Sequence, residues 1–134
     1  MKLVAAAIAI NDGLVLLARR AAGQSQAGYW EFPGGKLEPG ETVQDCIVRE
    51  LIEELGVHCH AREVLAESIY EYPGGVIKLI AVEVLLRSHD FRLSVHDAIR
   101  WVAPNALLDM NLAPADIPIA AELFRPSAEI PYAG

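Results

Sequence analysis

One stretch constrains this chain more than any other. Residues 35–57 read GKLEPGETVQDCIVRELIEELGV. A glycine-bearing loop, Gly34-Gly35-Lys36, runs into Glu41, and a helix is predicted over 42–55. Gly56 stops it, since glycine tolerates the left-handed conformation that commonly ends a helix. Thr42 with Asp45 three residues on is a start signal related to the capping box. On a helical wheel Val43, Ile47, Leu51 and Leu55 form one stripe, widened by Val48 and Ile52, which is the predicted core face. Glu50, Glu53 and Glu54 fall on an adjoining arc, with Glu54 at the border of the stripe.

A glutamate-rich helix is ordinarily a solvated face. Like charges three and four residues apart repel by a few tenths of a kcal/mol each, and only Arg49 is near enough in sequence to offset these three. Stability alone gives little reason to gather them at the edge of a buried face. A hard divalent cation gives one, because Mg²⁺ takes oxygen ligands and favours carboxylates.

The full spacing is G-x5-E-x7-R-E-L-x-E-E-x-G-V, filled at every fixed position by Gly35, Glu41, Arg49, Glu50, Leu51, Glu53, Glu54, Gly56 and Val57. This pattern resembles the signature of the Nudix hydrolases. The stretch YWEFPGGK before it is similar to the MutT-like branch of that family. Together with QSQAGYWEFPGGK, the later segment LAPADIP resembles the bacterial CTP pyrophosphohydrolases.

The rest of the chain fits one domain. A length of 134 residues allows a sizeable core, and 53% apolar content argues against disorder. A net charge of −7 disfavours duplex nucleic acid, for which no basic footprint exists. It leaves a nucleotide open, because a metal and a few cations can meet that charge. Cys46 and Cys59 make no disulfide framework. Cys46 reads as a packed side chain, since Mg²⁺ disfavours sulfur. No run reaches the roughly 18 apolar residues of a membrane span. The opening MKLVAAAIAI could mimic a signal peptide, but Asn11-Asp12-Gly13 and LVLLARR follow at once, as in a β-hairpin. A reduced, cytoplasmic protein, monomer or homodimer, is expected.

In order, strands are predicted at 2–10 and 14–20, covered on both faces because their apolar runs are nearly continuous. A loop follows at 21–28, then a short strand at 29–32 and a tight turn at Pro33-Gly34-Gly35. After the helix come strands at 61–72 and 76–86, a polar connection at 87–96, and a last strand at 99–102. A helical turn is expected at 104–108. A final helix is expected at 116–124, with Ile117, Ala120, Ala121 and Phe124 on one face. This is an α+β arrangement with helices on both sides of a mixed sheet. Residues 1–126 form the predicted domain and 127–134 a C-terminal tail without pattern.

The resemblance implies an α/β/α sandwich and Mg²⁺-dependent hydrolysis, with Mn²⁺ as a substitute, of a nucleoside triphosphate to monophosphate and pyrophosphate. It implies CTP, dCTP or their oxidised and methylated forms as substrates in nucleotide-pool sanitising. The alternatives are 8-oxo-dGTP hydrolysis and, from another class, a Nudix-fold binding module without turnover. It carries metal-ligand roles onto Glu50, Glu54, Glu53 and the Gly34 carbonyl. Catalytic roles fall on the same three glutamates, with Glu50 one candidate base, and Lys36 is placed near the substrate phosphates. Glu41 and Arg49 match positions that hold loop and helix together.

MutT-like proteins often carry a further glutamate six residues before the tryptophan of the last strand. Here that position is Val95, so the site has one ligand fewer or Asp97 substitutes. His96 matches the histidine that often follows in the family; a histidine in a polar loop otherwise reads as solvated, and it receives no catalytic role. Arg19-Arg20 reads either as a solvated strand end or as a substrate contact, with Arg20 the candidate. Tyr72 and Phe32 read either as stacking partners for a base or as core. Asp116 falls where MutT has a base-contacting asparagine. An ionised carboxylate accepts hydrogen bonds, which suits the cytosine amino group. The competing reading is that Asp116 caps the last helix.

Overall fold

The computed structural model describes residues 1–124. The predicted tail at 127–134 lies outside the described residues.

Strand β1 (Lys2–Asn11) is the centre of the fold. Its residues Lys2 to Ala9 pair in parallel with Ile77 to Val84 of β6 (Gly75–Leu86). β5 (Cys59–Tyr72) lies antiparallel on the far side of β6. The end of β1 turns through Asp12 and Gly13, both at positive φ, into β2 (Leu14–Arg20). That is the backbone of a tight hairpin turn, as the N-D-G sequence predicts. β2 is flanked by β3 (Trp30–Glu31) and β7 (His96–Val102), both antiparallel to it.

The nearly unbroken apolar runs are explained by two cores, one on each side of the sheet. In β1, Ala6 and Ile8 face one core while Ala5, Ala7 and Ala9 face the other. The same split divides Val15 and Leu17 from Leu16 in β2. Helix α1 (Val43–Leu55) closes the second core with Cys46, Ile47, Leu51 and Leu55. The 3₁₀ turn Pro104–Asp109 and helix α2 (Asp116–Leu123) close the first with Leu107, Ile119 and Ala120. Helices therefore lie on both sides of a mixed sheet, as expected.

Three local expectations need correction. Pro33-Gly34-Gly35 is not a turn. Gly34–Lys36 is a strand, β4, antiparallel to Val4, Ala5 and Ala6 of β1. A Cβ on Gly34 would overlap the Ala5 carbonyl, so only glycine permits this approach. On α1 the buried stripe is centred between Ile47 and Cys46, and Ile52 is 40% exposed, because the helix leans its cysteine edge onto β4. On α2 the residues that pack inward are Ile119 and Ala120, whereas Ile117 is 45% exposed.

Candidate active site

The ends of α1 are fixed independently. At its start, Thr42 Oγ1 accepts a hydrogen bond from Asp45 N at 3.0 Å. At its end, Gly56 adopts the left-handed conformation, and the loop that follows β6 donates to the last carbonyls. Arg92 N reaches Leu55 O at 2.8 Å, Ser94 N reaches Glu54 O at 3.2 Å, and Ser94 Oγ reaches Glu53 O at 3.1 Å. Groups that a helix end leaves unsatisfied are thus met, and the backbone of the glutamate turn is held.

Arg49 holds the other side. Its guanidinium donates to both oxygens of Glu41, Nε at 2.7 Å and Nη2 at 2.9 Å. Nη1 donates to Glu50 Oε2 at 2.8 Å, and Nη2 reaches Lys36 O at 3.1 Å. One planar cation thereby ties the loop, β4 and the helix together, the geometry that arginine offers and lysine does not. Hydrogen bonding to Arg49 lowers the Glu41 pKa to about 2. Cys46 lies beneath, its thiol 3.5 Å from the carbonyls of Gly35 and Lys36. Burial pushes its pKa up to about 12, which makes it an inert packed group.

Glu50 lies directly over Gly35, where a Cβ would collide with the carboxylate. Glu54 is turned further inward. Its Oε1 is buried and has no hydrogen-bond partner among the described residues. Burial, with the charges of Glu31 and Glu50, pushes its pKa up to about 8. Glu53 points away from the cavity, its side chain 59% exposed and 3.6 Å from Arg49.

The cavity beside these residues has a volume of about 600 Å³, within the range of small-molecule sites. Glu50, Glu54, Lys36, Gly34 and Arg20 line one part of it. Tyr70, Tyr72, Ile77, Leu79 and Phe32 line another, with Asp116. The rings of Tyr70 and Tyr72 stack with centroids 6.0 Å apart. Phe32 is both core and wall, since it belongs to the first core and lines the cavity. Of the residues expected from sequence, Gly34, Glu50, Glu54, Arg20, Lys36, Tyr72 and Asp116 meet around this one cavity.

Asp116 does not cap α2. It is the first helical residue, and its Oδ2 accepts a hydrogen bond from Phe32 N at 2.9 Å. The contact is possible because Leu112 lies beside Trp30, with Trp30 N on Asn111 O and Ala113 N on Trp30 O, each at 2.8 Å. Burial, helped by Glu31, raises the Asp116 pKa well above the ordinary carboxylate value. Burial thus favours the protonated form, which offers both a donor and an acceptor.

Two residues that sequence reasoning left out sit here. His96 is the first residue of β7, not part of the polar connection, and is 4% exposed. Its Nε2 is 2.8 Å from Glu31 Oε2. Ligand atoms of Glu31, Glu54 and His96 all lie within 4.8 Å of one another. Asp97 points to the opposite face of its strand and pairs with Arg19 at 2.7 Å, and Arg19 lies over the Trp30 ring. It therefore takes no place among the cavity carboxylates, and Glu31 is the further acidic group there. The E of YWEF was the available signal for Glu31, but only pairing across β2 brings it to His96.

The donor set fits a divalent cation. Carboxylates of Glu31, Glu50 and Glu54 line the same cavity, and the buried Glu54 Oε1 has no hydrogen-bond partner among the described residues, as a cation ligand would.

Comparison with known proteins identifies the family of the fold. Residues 1–123 match the NUDIX domain. Over 121 residues, 87% of this chain and 86% of the relative, the chain is 44% identical to the CTP pyrophosphohydrolase of Escherichia coli strain K12. Over 75 residues, 55% of each protein, it is 41% identical to the 8-oxo-dGTP diphosphatase of Haemophilus influenzae. Among solved structures, the solution structure of the E. coli ORF135 protein superposes with a TM-score of 0.82 at 40% identity, covering 98% of this chain and 94% of that one. The MutT protein of Methanosarcina mazei Go1 superposes with a TM-score of 0.81 at 28% identity, covering 92% and 91%.

Proposed function

The chain belongs to the Nudix hydrolases, and from that premise we propose that it hydrolyses CTP, dCTP and oxidised or methylated cytidine triphosphates. The products are the monophosphate and pyrophosphate, and the cation is Mg²⁺, with Mn²⁺ able to replace it. One observation carries the substrate class: a single cavity joins a carboxylate cluster fit for a cation to an apolar, tyrosine-walled part lined by the buried Asp116.

Glu50 and Glu54 would hold the cation, with the Gly34 carbonyl as a further ligand, whereas Glu53, turned outward beside Arg49, is not placed to join them. When bound, the ion neutralises phosphate charge, stabilises the leaving oxygen and lowers the pKa of water. The protein positions the reactants around it. Phosphoryl chemistry needs alignment and charge neutralisation more than covalent help. Arg20 and Lys36 meet phosphate oxygens on the substrate side of the carboxylates. Glu50, anchored by Arg49 at 2.8 Å, is the candidate to take the proton of the attacking water.

Tyr72 stacks on the base. Asp116 reads the base edge. Its proton donates to cytosine N3 while a carboxyl oxygen accepts from the N4 amino group. This differs from the ionised acceptor expected from sequence, because burial favours the neutral acid. The same donor–acceptor pair also suits the N7–H and O6 edge of 8-oxoguanine, so 8-oxo-dGTP hydrolysis is the second reading.

Steady-state kinetics with Mg²⁺ on CTP, dCTP, 5-methyl-dCTP and 8-oxo-dGTP tests the substrate. A strong preference for 8-oxo-dGTP over every cytidine nucleotide rejects the first reading. Pyrophosphate release abolished in Glu54→Gln supports the metal site, and full activity in that variant removes it.

A further inference from the structure

We propose that Ser68 is a positioning residue for base recognition. By holding the carbonyl of Ala115 it fixes the spacing between the tyrosine wall of the cavity and Asp116, and with it the aim of Asp116 at the base. The inference rests on the nucleotide reading above and deepens it.

Asp116 stands at the end of a short bridge between two strands. Residues 111–116 are tied to β3 through Trp30 N on Asn111 O, Ala113 N on Trp30 O and Phe32 N on Asp116 Oδ2. On the other side the bridge meets β5. There the Ser68 hydroxyl donates to Ala115 O at 3.1 Å, the one hydrogen bond from β5 to the bridge among the described residues. That carbonyl belongs to the planar peptide unit that leads into Asp116. Holding it fixes the plane from which the Asp116 side chain springs. Ala115 and Asp116 both line the cavity.

The place of Ser68 in its strand gives the contact a second consequence. The pairing of β5 with β6 shifts register between Ala61 and Val64 and again between Val64 and Ala66, as that of β2 with β7 does between Arg19 and Arg20. From Ala66 to Tyr72 it runs without a shift. Side chains alternate along a strand, so Ala66, Ser68, Tyr70 and Tyr72 share one face. Ala66 and Tyr70 pack in the first core, while Tyr70 and Tyr72 line the cavity. Ser68 is the half-buried hydroxyl in this row, and its proton is directed at Ala115. The stacking wall and the clasp are therefore parts of one strand. The Ser68–Ala115 contact sets how far that wall stands from the group that reads the base edge. A base that lies flat on a tyrosine meets Asp116 edge-on, and hydrogen bonds weaken steeply as they are bent.

The test is competition, in one reaction with Mg²⁺, between dCTP and its 2-pyrimidinone analogue, which is dCTP without the 4-amino group. The ratio of kcat/KM values read this way does not depend on how much enzyme is folded. One neutral hydrogen bond to the amino group predicts that the wild type favours dCTP by roughly three- to tenfold. Ser68→Ala brings that preference towards one, and Ser68→Thr, which keeps the hydroxyl, retains most of it. In Asp116→Ala the preference is already lost, and adding Ser68→Ala changes the ratio no further, as expected of a residue that acts through Asp116. A merely structural role would lower the turnover of both nucleotides equally. A selective wild type whose ratio survives Ser68→Ala therefore overturns this proposal and leaves the substrate reading standing. A wild type that treats the two nucleotides alike overturns both.

Discussion

Glu54 stands against the stability of the protein that carries it, and the sign can be measured. Its pKa rises from 4.5 to about 8, first through burial and then through the charges of Glu31 and Glu50. The native state therefore binds a proton that the unfolded chain releases between about pH 4.5 and pH 8, and stability falls as pH rises through that window. At about 1.36 kcal/mol per pH unit the gap sets an upper bound of about 5 kcal/mol. Relaxation and partial solvent access reduce this to about 2–3 kcal/mol. Glu54→Gln removes the ionisation and keeps the shape. In EDTA at about pH 8.5 it is expected to melt higher than the wild type by on the order of 5–10 °C, by the usual scaling for a domain of this size. At about pH 4.5, where both forms are neutral, the two melt together. Saturating Mg²⁺ then raises the wild type and not the variant, because the cation binds the folded carboxylate and not the amide. The assay is a thermal melt by circular dichroism across pH, with and without metal. A variant no more stable than the wild type at about pH 8.5, or equally stabilised at both pH values, would refute the argument that Glu54 is held ready for a cation at a cost to the fold.

Other substitutions probe the neighbouring contacts. Gly35→Ala places a methyl group where the Glu50 carboxylate lies, so kcat/KM should fall by about a hundredfold with a modest change in melting temperature. Arg49→Lys loses the two-pronged contact to Glu41. Glu41, whose lowered pKa contributes stability above about pH 4.5 that is lost as pH falls towards about 2, then protonates sooner, and the acid-unfolding midpoint followed by far-UV circular dichroism moves to higher pH. Asp116→Ala leaves the Phe32 N–H unpaired and should cost about 1–3 kcal/mol in denaturant unfolding, along with the cytidine preference. Asp116→Asn keeps a donor and an acceptor and should retain most of both. Thr42→Ala removes the helix cap at about 1 kcal/mol, with unchanged KM.

What could be read from the sequence was local. Thr42, Gly56 and the stripe of α1 act on neighbours within a turn or two, so spacing alone revealed the helix and the glutamates on it. The hairpin at Asn11-Asp12-Gly13 was legible for the same reason. The double-sided burial of β1 and β2 was legible because an uninterrupted apolar strand has no solvent face to offer. Errors appear where distant segments decide. Ile52 fits a helical wheel as core, yet the helix is rotated by contact with β4, a strand that exists only because β1 accepts it. His96 looked solvated because its loop is polar, but pairing with β2 carries it inside. Periodicity does not register a shift between Arg19 and Arg20, and that shift decides which of His96 and Asp97 faces the cavity.

Gly35 shows why the carboxylate site depends on these long-range contacts. Taken alone, the pair Gly34-Gly35 signals a bend. In the fold it is straight, and both glycines are required because backbone packs where side chains ordinarily would, Gly34 against the Ala5 carbonyl and Gly35 beneath the Glu50 carboxylate. The helix can bring Glu50 and Glu54 towards a common cation only if that strand has no side chain in the way. The spacing from Gly35 to Glu50 therefore records a contact between two elements, and the glycine constrains the carboxylate as strongly as the helix does.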